Sequence, residues 1–478
     1  MIIGLVLSCA TKVAVLPPAP VDIHPYRSVV DWESVEDEAT DILSGYLQVD
    51  TTNPPGNETE GALFLGGILE ESGIPYEIHE SSPGRGNLIA RLEGAGSEKP
   101  LCLLSHIDVV TAEPDKWPED KQPLSGVVKD GYVWGRGALD MKGMGVMELM
   151  TMLLLKRNEV PLKRDVILIA VADEETGGEG MQYLVNTYWD YLDCGQLINE
   201  GGLGLYDMLF EGQTVYPISV GEKGSLWVKM TAHGDAGHGS TPRPNEAPQY
   251  LLNAIDALEN RDVDADLSAE MQMFLAAVGE GKGGVNGFVL KRKALVNRLV
   301  KPKLMDNPLT RAAIINTVHL TGLEGRNEPN VVPSEVSAIL DCRLQPDVDP
   351  EEFLSWLETL VGPNITFETI GAKQGNASPW DDPLYYALVR AATEGEPESV
   401  AGPVISVGFT DSIYVRPKGT NAYGFVPVRL TEEEMRGFHG AHERLSVKEL
   451  GLGTKKLYSA VLEVSVEADA RSEAQGGE

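Results

Sequence analysis

Apolar residues recur along this chain with two periods, and the dominant period changes twice. Over residues 31–47, Trp32, Val35, Ala39, Ile42, Leu43 and Tyr46 fall on one helical face. Residues 61–72 read as a second helix, and 87–92 and 101–105 as strands. The stretch 144–156 is almost wholly apolar and has helix length, which predicts a buried helix. Residues 166–172 form a continuous apolar run, the pattern of a strand covered on both faces. A helix at 180–188 and a short strand at 197–198 follow. Strands alternating with helices predict an α/β fold: a mixed, mostly parallel sheet sandwiched by helices.

The pattern then shifts. Residues 225–232 (SLWVKMTA) alternate like a half-exposed strand, as do 317–320 and 336–344, with helices at 245–258 and 350–360. This block predicts a separate α+β domain whose sheet is open on one face. Within it, about residues 262–311 read as an inserted helical or loop region. From residue 372 the first pattern returns, with a helix at 384–393, a strand at 422–426 and a helix at 447–464. The predicted organisation is an arm or signal at 1–30, a first domain split into 31–221 and 372–466, an inserted domain at 222–371, and a disordered tail at 467–478.

Composition narrows the function classes. The chain has 478 residues, 72 acids against 39 bases, and a net charge of −33. Nucleic acid is not expected as a partner, because phosphate binding needs a basic face. Cys102 and Cys342 lie in apolar runs and read as small core residues. No CxxC spacing marks a thiolate metal site or a dense disulfide framework. Near the start, Ser8-Cys9 after a short apolar stretch suits a lipoprotein cleavage box, which would place the protein at the cell envelope or periplasm. A disordered or buried N-terminal strand, in a cytoplasmic protein, is the competing reading. No later stretch reaches the roughly 18 apolar residues of a membrane span.

Candidate chemistry gathers where apolar strands end. His106 and Asp108 stand in LLSHIDVV, Asp140 in GRGALDMKG, Glu174 and Glu175 in DEETGG, and Glu200 in LINEGG. His439 and His442 stand before the last helix. Asp108, two residues beyond His106, can hold the second ring nitrogen of an imidazole ligand. A carboxylate such as Asp140 has two oxygens and can bridge two cations. Adjacent residues point in different directions, so one of Glu174 and Glu175 can bind metal while the other serves as a base. Each residue alone has an ordinary structural explanation: a core histidine, a helix cap, a solvated acid. Gly135-Arg136-Gly137 lacks the third glycine of a dinucleotide loop.

Together, HID, GRGALDMKG, DEETGG, NEGG, GHGSTP, NVVP and HGAHER resemble the M20 family of metallopeptidases and amidohydrolases. The likeness runs from about residue 31 to 464, and the WPED, GYVWGRGALDMKG and NEGG stretches look nearest to the carboxypeptidase S and PM20D1-like branch. It implies a zinc-exopeptidase-like catalytic domain split by a lid or dimerisation domain. It implies two zinc ions, for which cobalt or manganese can substitute. One would be held by His106, Asp140 and Glu200, the other by Asp140, Glu175 and His439. The family's HxxxE pattern, completed by Glu443, favours His439 over His442. Glu174 would be the general base, Asp108 would orient His106, and His238 of GHGSTP would stabilise the oxyanion in a neighbouring active site, hence a homodimer. Asn330 and Arg343 match positions that bind a substrate carboxylate. Phe409 departs from the family's usual GGTD stretch. The implied substrate is a small peptide or an N-acyl amino acid, cleaved as a carboxypeptidase, dipeptidase or aminoacylase would. An inactive metal-binding scaffold is the alternative, and a phosphate-loop enzyme a remoter one.

Overall fold

A computed structural model describes residues 22–467, apart from residues 208, 264, 266, 327 and 397. Cys9 and the expected tail from residue 468 lie outside the described residues. The arm expected up to residue 30 is structured where it is described: His24–Arg27 is a short helix. Ile23, Tyr26 and Val30 pack on the main core, and Arg27 reaches Glu394 at 2.7 Å.

The first sheet has nine strands. Its centre runs Val166–Val171, Leu101–His106, Gln196–Tyr206, Asn421–Leu430, all parallel to their neighbours. Gly86–Leu92 and Tyr76–Glu80 extend one edge antiparallel. Thr214–Glu222 extends the other and pairs in parallel with Val400–Ser406. The sheet is therefore mixed with a parallel middle, as its apolar runs predict. Val166–Val171 and Leu101–His106 are buried at every position.

Helix Lys142–Arg157 is buried from Lys142 to Leu155, because it lies between this sheet and helices Trp32–Leu47 and Val447–Ser465. Asp31 caps Trp32–Leu47 by accepting from Glu33 N and Ser34 N. The opposite face carries helix Glu179–Thr187, whose Met181 and Leu184 pack with Ile167, Ile169 and Val171.

Three sequence expectations change here. Gln196–Tyr206 has 11 residues rather than a short run, so Glu200 stands inside a strand and not at its end. Its glycines extend the strand: a Cβ on Gly202 would lie 2.1 Å from the Pro217 carbonyl oxygen, so only glycine admits that backbone. Cys102 is no isolated core residue but is disulfide-bonded to Cys194. Cys194 lies just before strand Gln196–Tyr206, which pairs with Leu101–His106, and the two cysteine Cα atoms are 5.8 Å apart. Cys342 is buried and free, as expected.

Third, the helices at 262–311 do not join the core of the second sheet. Phe274, Leu275, Val278, Leu290 and Val296 pack with Val215 on the large sheet and against Val400 and Val404. Gly402 permits this approach, since a Cβ there would lie 2.9 Å from Phe274 Cα.

The second sheet is antiparallel, in the order Thr317–Glu324, Glu335–Leu344, Gly224–His233, Ile365–Lys373. Helices Ala247–Glu259 and Pro350–Val361 cover one face and share its own core, including Leu226, Val228, Met230, Leu340 and Leu357. On the other face Trp227 and Ile370 stay exposed. This is the α+β domain that the alternating strands predict, at the place where the family resemblance implies a lid.

Candidate metal centre

The parallel middle of the large sheet brings three C-terminal strand regions side by side, where open α/β sheets bind ligands. His106 ends Leu101–His106. Glu174 and Glu175 follow Val166–Val171 after one turn. Glu200 lies on the other flanking strand. Asp173 enters that turn with φ 69°, a left-handed conformation uncommon outside glycine, and such backbones cluster at functional sites. The turn is fixed from below. Asp108 Oδ1 accepts from Glu174 N at 3.1 Å, and its Oδ2 accepts from Glu175 N at 3.2 Å and from Asn53 Nδ2 at 2.8 Å.

Asp140 lies on the loop between Tyr132–Trp134 and the buried helix. It does not cap that helix, whose N-cap is Met141. It faces two imidazoles instead: Oδ1 is 3.2 Å from His106 Nε2, and Oδ2 is 3.0 Å from His439 Nε2. Glu200 Oε1 lies 3.9 Å from His106 Nε2, and Glu175 Oε2 lies 3.5 Å from His439 Nε2. His106, Asp140 and Glu175 offer one set of donor atoms within 4.8 Å of one another, and His106, Glu174 and Glu200 another. His439 has φ 52°, so its backbone too is held in the left-handed region.

The His106 ring is oriented by residue 108. Nδ1 lies 2.9 Å from the Asp108 carbonyl oxygen and 3.6 Å from its carboxylate. The backbone oxygen is thus the nearer partner, while the carboxylate is taken up by the turn.

Glu443 ties the two loops of the centre together. It is fully buried, accepts from Leu139 N at 2.8 Å and Asp140 N at 3.2 Å, and pairs with Arg136 at 2.6 Å. The Arg136 side chain is buried and paired with Glu443 there, so it is not presented to a phosphate. His442 lies instead in a surface cleft with Tyr132, Trp134 and Arg444.

Electrostatics show a centre with too many acids. Burial, followed by the charge of Glu200, holds Glu174 well above the usual carboxylate range. Burial and Asp140 do the same to Glu200. Burial opposes a charge on His106, but its bond to Asp140 and the field of Glu200 and Glu174 keep the imidazolium far above its ordinary value. Bonds to Asp140 and Glu175 lift His439 to about 10. Glu175 Oε1 is buried without a hydrogen-bond partner. Buried acids aimed at each other need a cation, and imidazole with carboxylate oxygen is a donor set for a divalent ion. The residues present fit the metal that the sequence pattern implies.

One neighbour escaped the sequence reading. Asp411, in the stretch after Phe409, is buried, its Oδ1 has no hydrogen-bond partner, and burial pushes its carboxyl up to about 7 against the pull of His106. Its loop hangs on Glu222, which accepts from Thr410 N at 2.9 Å and pairs with buried Arg416 at 2.9 Å. The departure from GGTD was the signal available. Phe409 itself lies under Lys373, 4.4 Å from the ring centroid.

The lid residues stand outside both donor sets. His238 is exposed on a two-residue strand paired with Val331–Val332, and its Nδ1 is 2.8 Å from Ser240 Oγ. Asn330 is its neighbour, accepting from Gly239 N at 2.8 Å. Arg343 is engaged by Asp341 through two bonds of 2.8 and 3.0 Å.

A model of peptidase family M20/M25/M40 matches residues 102–463. The chain belongs to this family. It is 28% identical over 444 residues to the N-fatty-acyl-amino acid synthase/hydrolase PM20D1 of Homo sapiens, covering 88% of this chain and 86% of that one. It is 27% identical over 413 residues to aminoacylase-1 of Sus scrofa, covering 83% and 88%. Among solved structures it is similar to the M20 family metallo-carboxypeptidase Sso-CP2 from Sulfolobus solfataricus. There the TM-score is 0.66 at 20% identity, over 89% of this chain and 99% of that one. The protein is a hydrolase of the metal-dependent M20 type, with a candidate metal-binding group gathered from its central parallel strands and the turns that follow them.

Proposed function

We propose that this enzyme hydrolyses an amide bond beside a free carboxylate, using two divalent ions of which zinc is the first choice. The observation that carries the reading is Asp140 set between His106 and His439 with one oxygen toward each, and Glu200 and Glu175 at the flanks. His106, Asp140 and Glu200 would hold one ion, and Asp140, Glu175 and His439 the other. Bound there, the ions supply Lewis acidity that polarises the scissile carbonyl and makes water nucleophilic at neutral pH. Cobalt or manganese suits the same donors.

Glu174 is the proton carrier. Its carboxylate stands among the donor atoms beside His106 and Glu200, placed to take a proton from the attacking water and return it to the leaving amine nitrogen. Asp108 sets the direction of Glu174 through the backbone of the turn. Asn330 and Arg343 take the substrate carboxylate, and His238 meets the developing oxyanion from the lid of a second subunit in a homodimer. A small peptide and an N-acyl amino acid both have an amide next to a carboxylate, as does the N-fatty-acyl-amino acid in the name of the PM20D1 relative.

A panel of N-acyl amino acids and dipeptides with metal-loaded protein tests the activity and separates acylase from peptidase. Glu174→Gln should lower kcat by about a thousandfold with bound metal unchanged. Loss of metal in that variant would make Glu174 a ligand. Full metal with no turnover of any substrate would favour an inactive scaffold.

A further inference from the structure

From Lys282 to Met305 the chain carries seven Lys and Arg and no acid, inside a protein of net charge −33. These residues belong to the inserted helices that pack on the large sheet. Leu290 and Val296 point inward to that core, together with Phe274 and Val278. The outward side mixes apolar and basic groups. Val285, Phe288 and Leu299 are 79%, 53% and 52% exposed. Arg292 covers the Phe288 ring, 3.6 Å from its centroid, and so keeps its charge outward over an apolar base.

Some of these bases are spent locally, as Lys291 is on Glu280. Arg298 and Lys303 are exposed and Lys301 half-buried, and no carboxylate among the described residues lies within ion-pair distance of them. A strongly acidic protein is repelled by anionic surfaces at long range. Within roughly 8 Å, the screening length at physiological salt, the local charge decides instead. Isolated apolar side chains set among flexible bases offer little shape for a protein partner to match, and a fluid headgroup layer needs none.

We propose that the outer side of residues 284–303 docks this enzyme on an anionic lipid surface. Val285, Phe288 and Leu299 enter the headgroup region, and Arg298, Lys301 and Lys303 meet lipid phosphates. The site lies apart from the metal centre and does not depend on the reaction proposed above.

Co-sedimentation of the whole chain with vesicles of phosphatidylcholine and phosphatidylglycerol, and of phosphatidylcholine alone, tests this. Binding is expected to the anionic vesicles only and to weaken with salt. The triple variant Arg298→Glu/Lys301→Glu/Lys303→Glu should lower the partition coefficient at least roughly tenfold. Val285→Ser/Phe288→Ser should lower it at unchanged charge, which attraction by charge alone would not do. Both variants should keep wild-type melting temperature and hydrolysis of a water-soluble substrate. The proposal is overturned by absence of anionic vesicle binding, or by binding that both variants retain. It is also overturned if the variants alter the mass of the protein in light scattering while vesicles go unbound, since the face would then be a protein interface.

Discussion

On the large sheet, His106 is 3% exposed and shares its space with Asp140, Glu174, Glu200 and the approach of His439. On the lid, His238 is exposed and rests on a serine two residues away, and Arg343 is neutralised by Asp341 on its own strand. The first region crowds ionisable groups whose charges do not cancel. The second satisfies each group with a near neighbour. Crowding of that kind is relieved by bound protons or by a cation, whereas the lid residues are already paired locally. On the function proposed above, the first region would be completed by metal and the second by substrate.

The sharpest way to break this contrast is Asp140→Ala, which removes the carboxylate facing both imidazoles. Bound metal should fall to near zero and turnover below detection, read by elemental analysis and assay. Arg343→Ala should leave metal content alone and raise KM. Next, Arg136→Ala leaves Glu443 buried without its partner, at an expected cost of about 3–5 kcal/mol in denaturant unfolding. His238→Ala should lower kcat by about a hundredfold or more, with metal content and melting temperature unchanged because the side chain is exposed. Wild-type kcat in that variant would remove the lid histidine from the reaction.

The pH response of chelated protein follows from the same crowding. His439 has a folded pKa of about 10, above its unfolded value, so its stabilisation is full below about 6.5 and is lost as pH rises toward 10. Asp411, raised to about 7, binds a proton in the folded state that the unfolded chain releases near pH 4, so it too favours folding at the acid end of that window. Stability of the metal-free enzyme should therefore decline from pH 5 to 9 in thermal melts. Added zinc should flatten the curve, and Asp411→Asn should reduce its slope between pH 4 and 7. Lys229→Ala marks the small end, since its solvent-screened pair with Glu324 on the lid should leave the melting temperature essentially unchanged.

Much of this was readable in advance where burial writes a strong pattern. The helix within 144–156 and the strand at 166–172 were plain because both are enclosed on all sides. Val400–Ser406 was not, since Gly402 and Pro403 mimic a turn. Among the described residues the strand pairs only with Thr214–Glu222, and an edge strand of this kind tolerates them. Ile365–Lys373 also went unread: at the lid's edge only Ile365 is buried, so no alternation survives. The motif acids were legible as a set, but their distances were not, because strand register in the fold sets them. Nothing in the spacing of Cys102 and Cys194, 92 residues apart, announced their bond.

That sulfur bridge fastens the strand ending in His106 to the entry of the strand carrying Glu200. Sliding one strand past its neighbour by a single residue would turn one of these side chains to the opposite face of the sheet. The cross-link thus acts as a ruler for the ion pocket. Reduced protein should let go of metal on gentle warming before its circular dichroism changes.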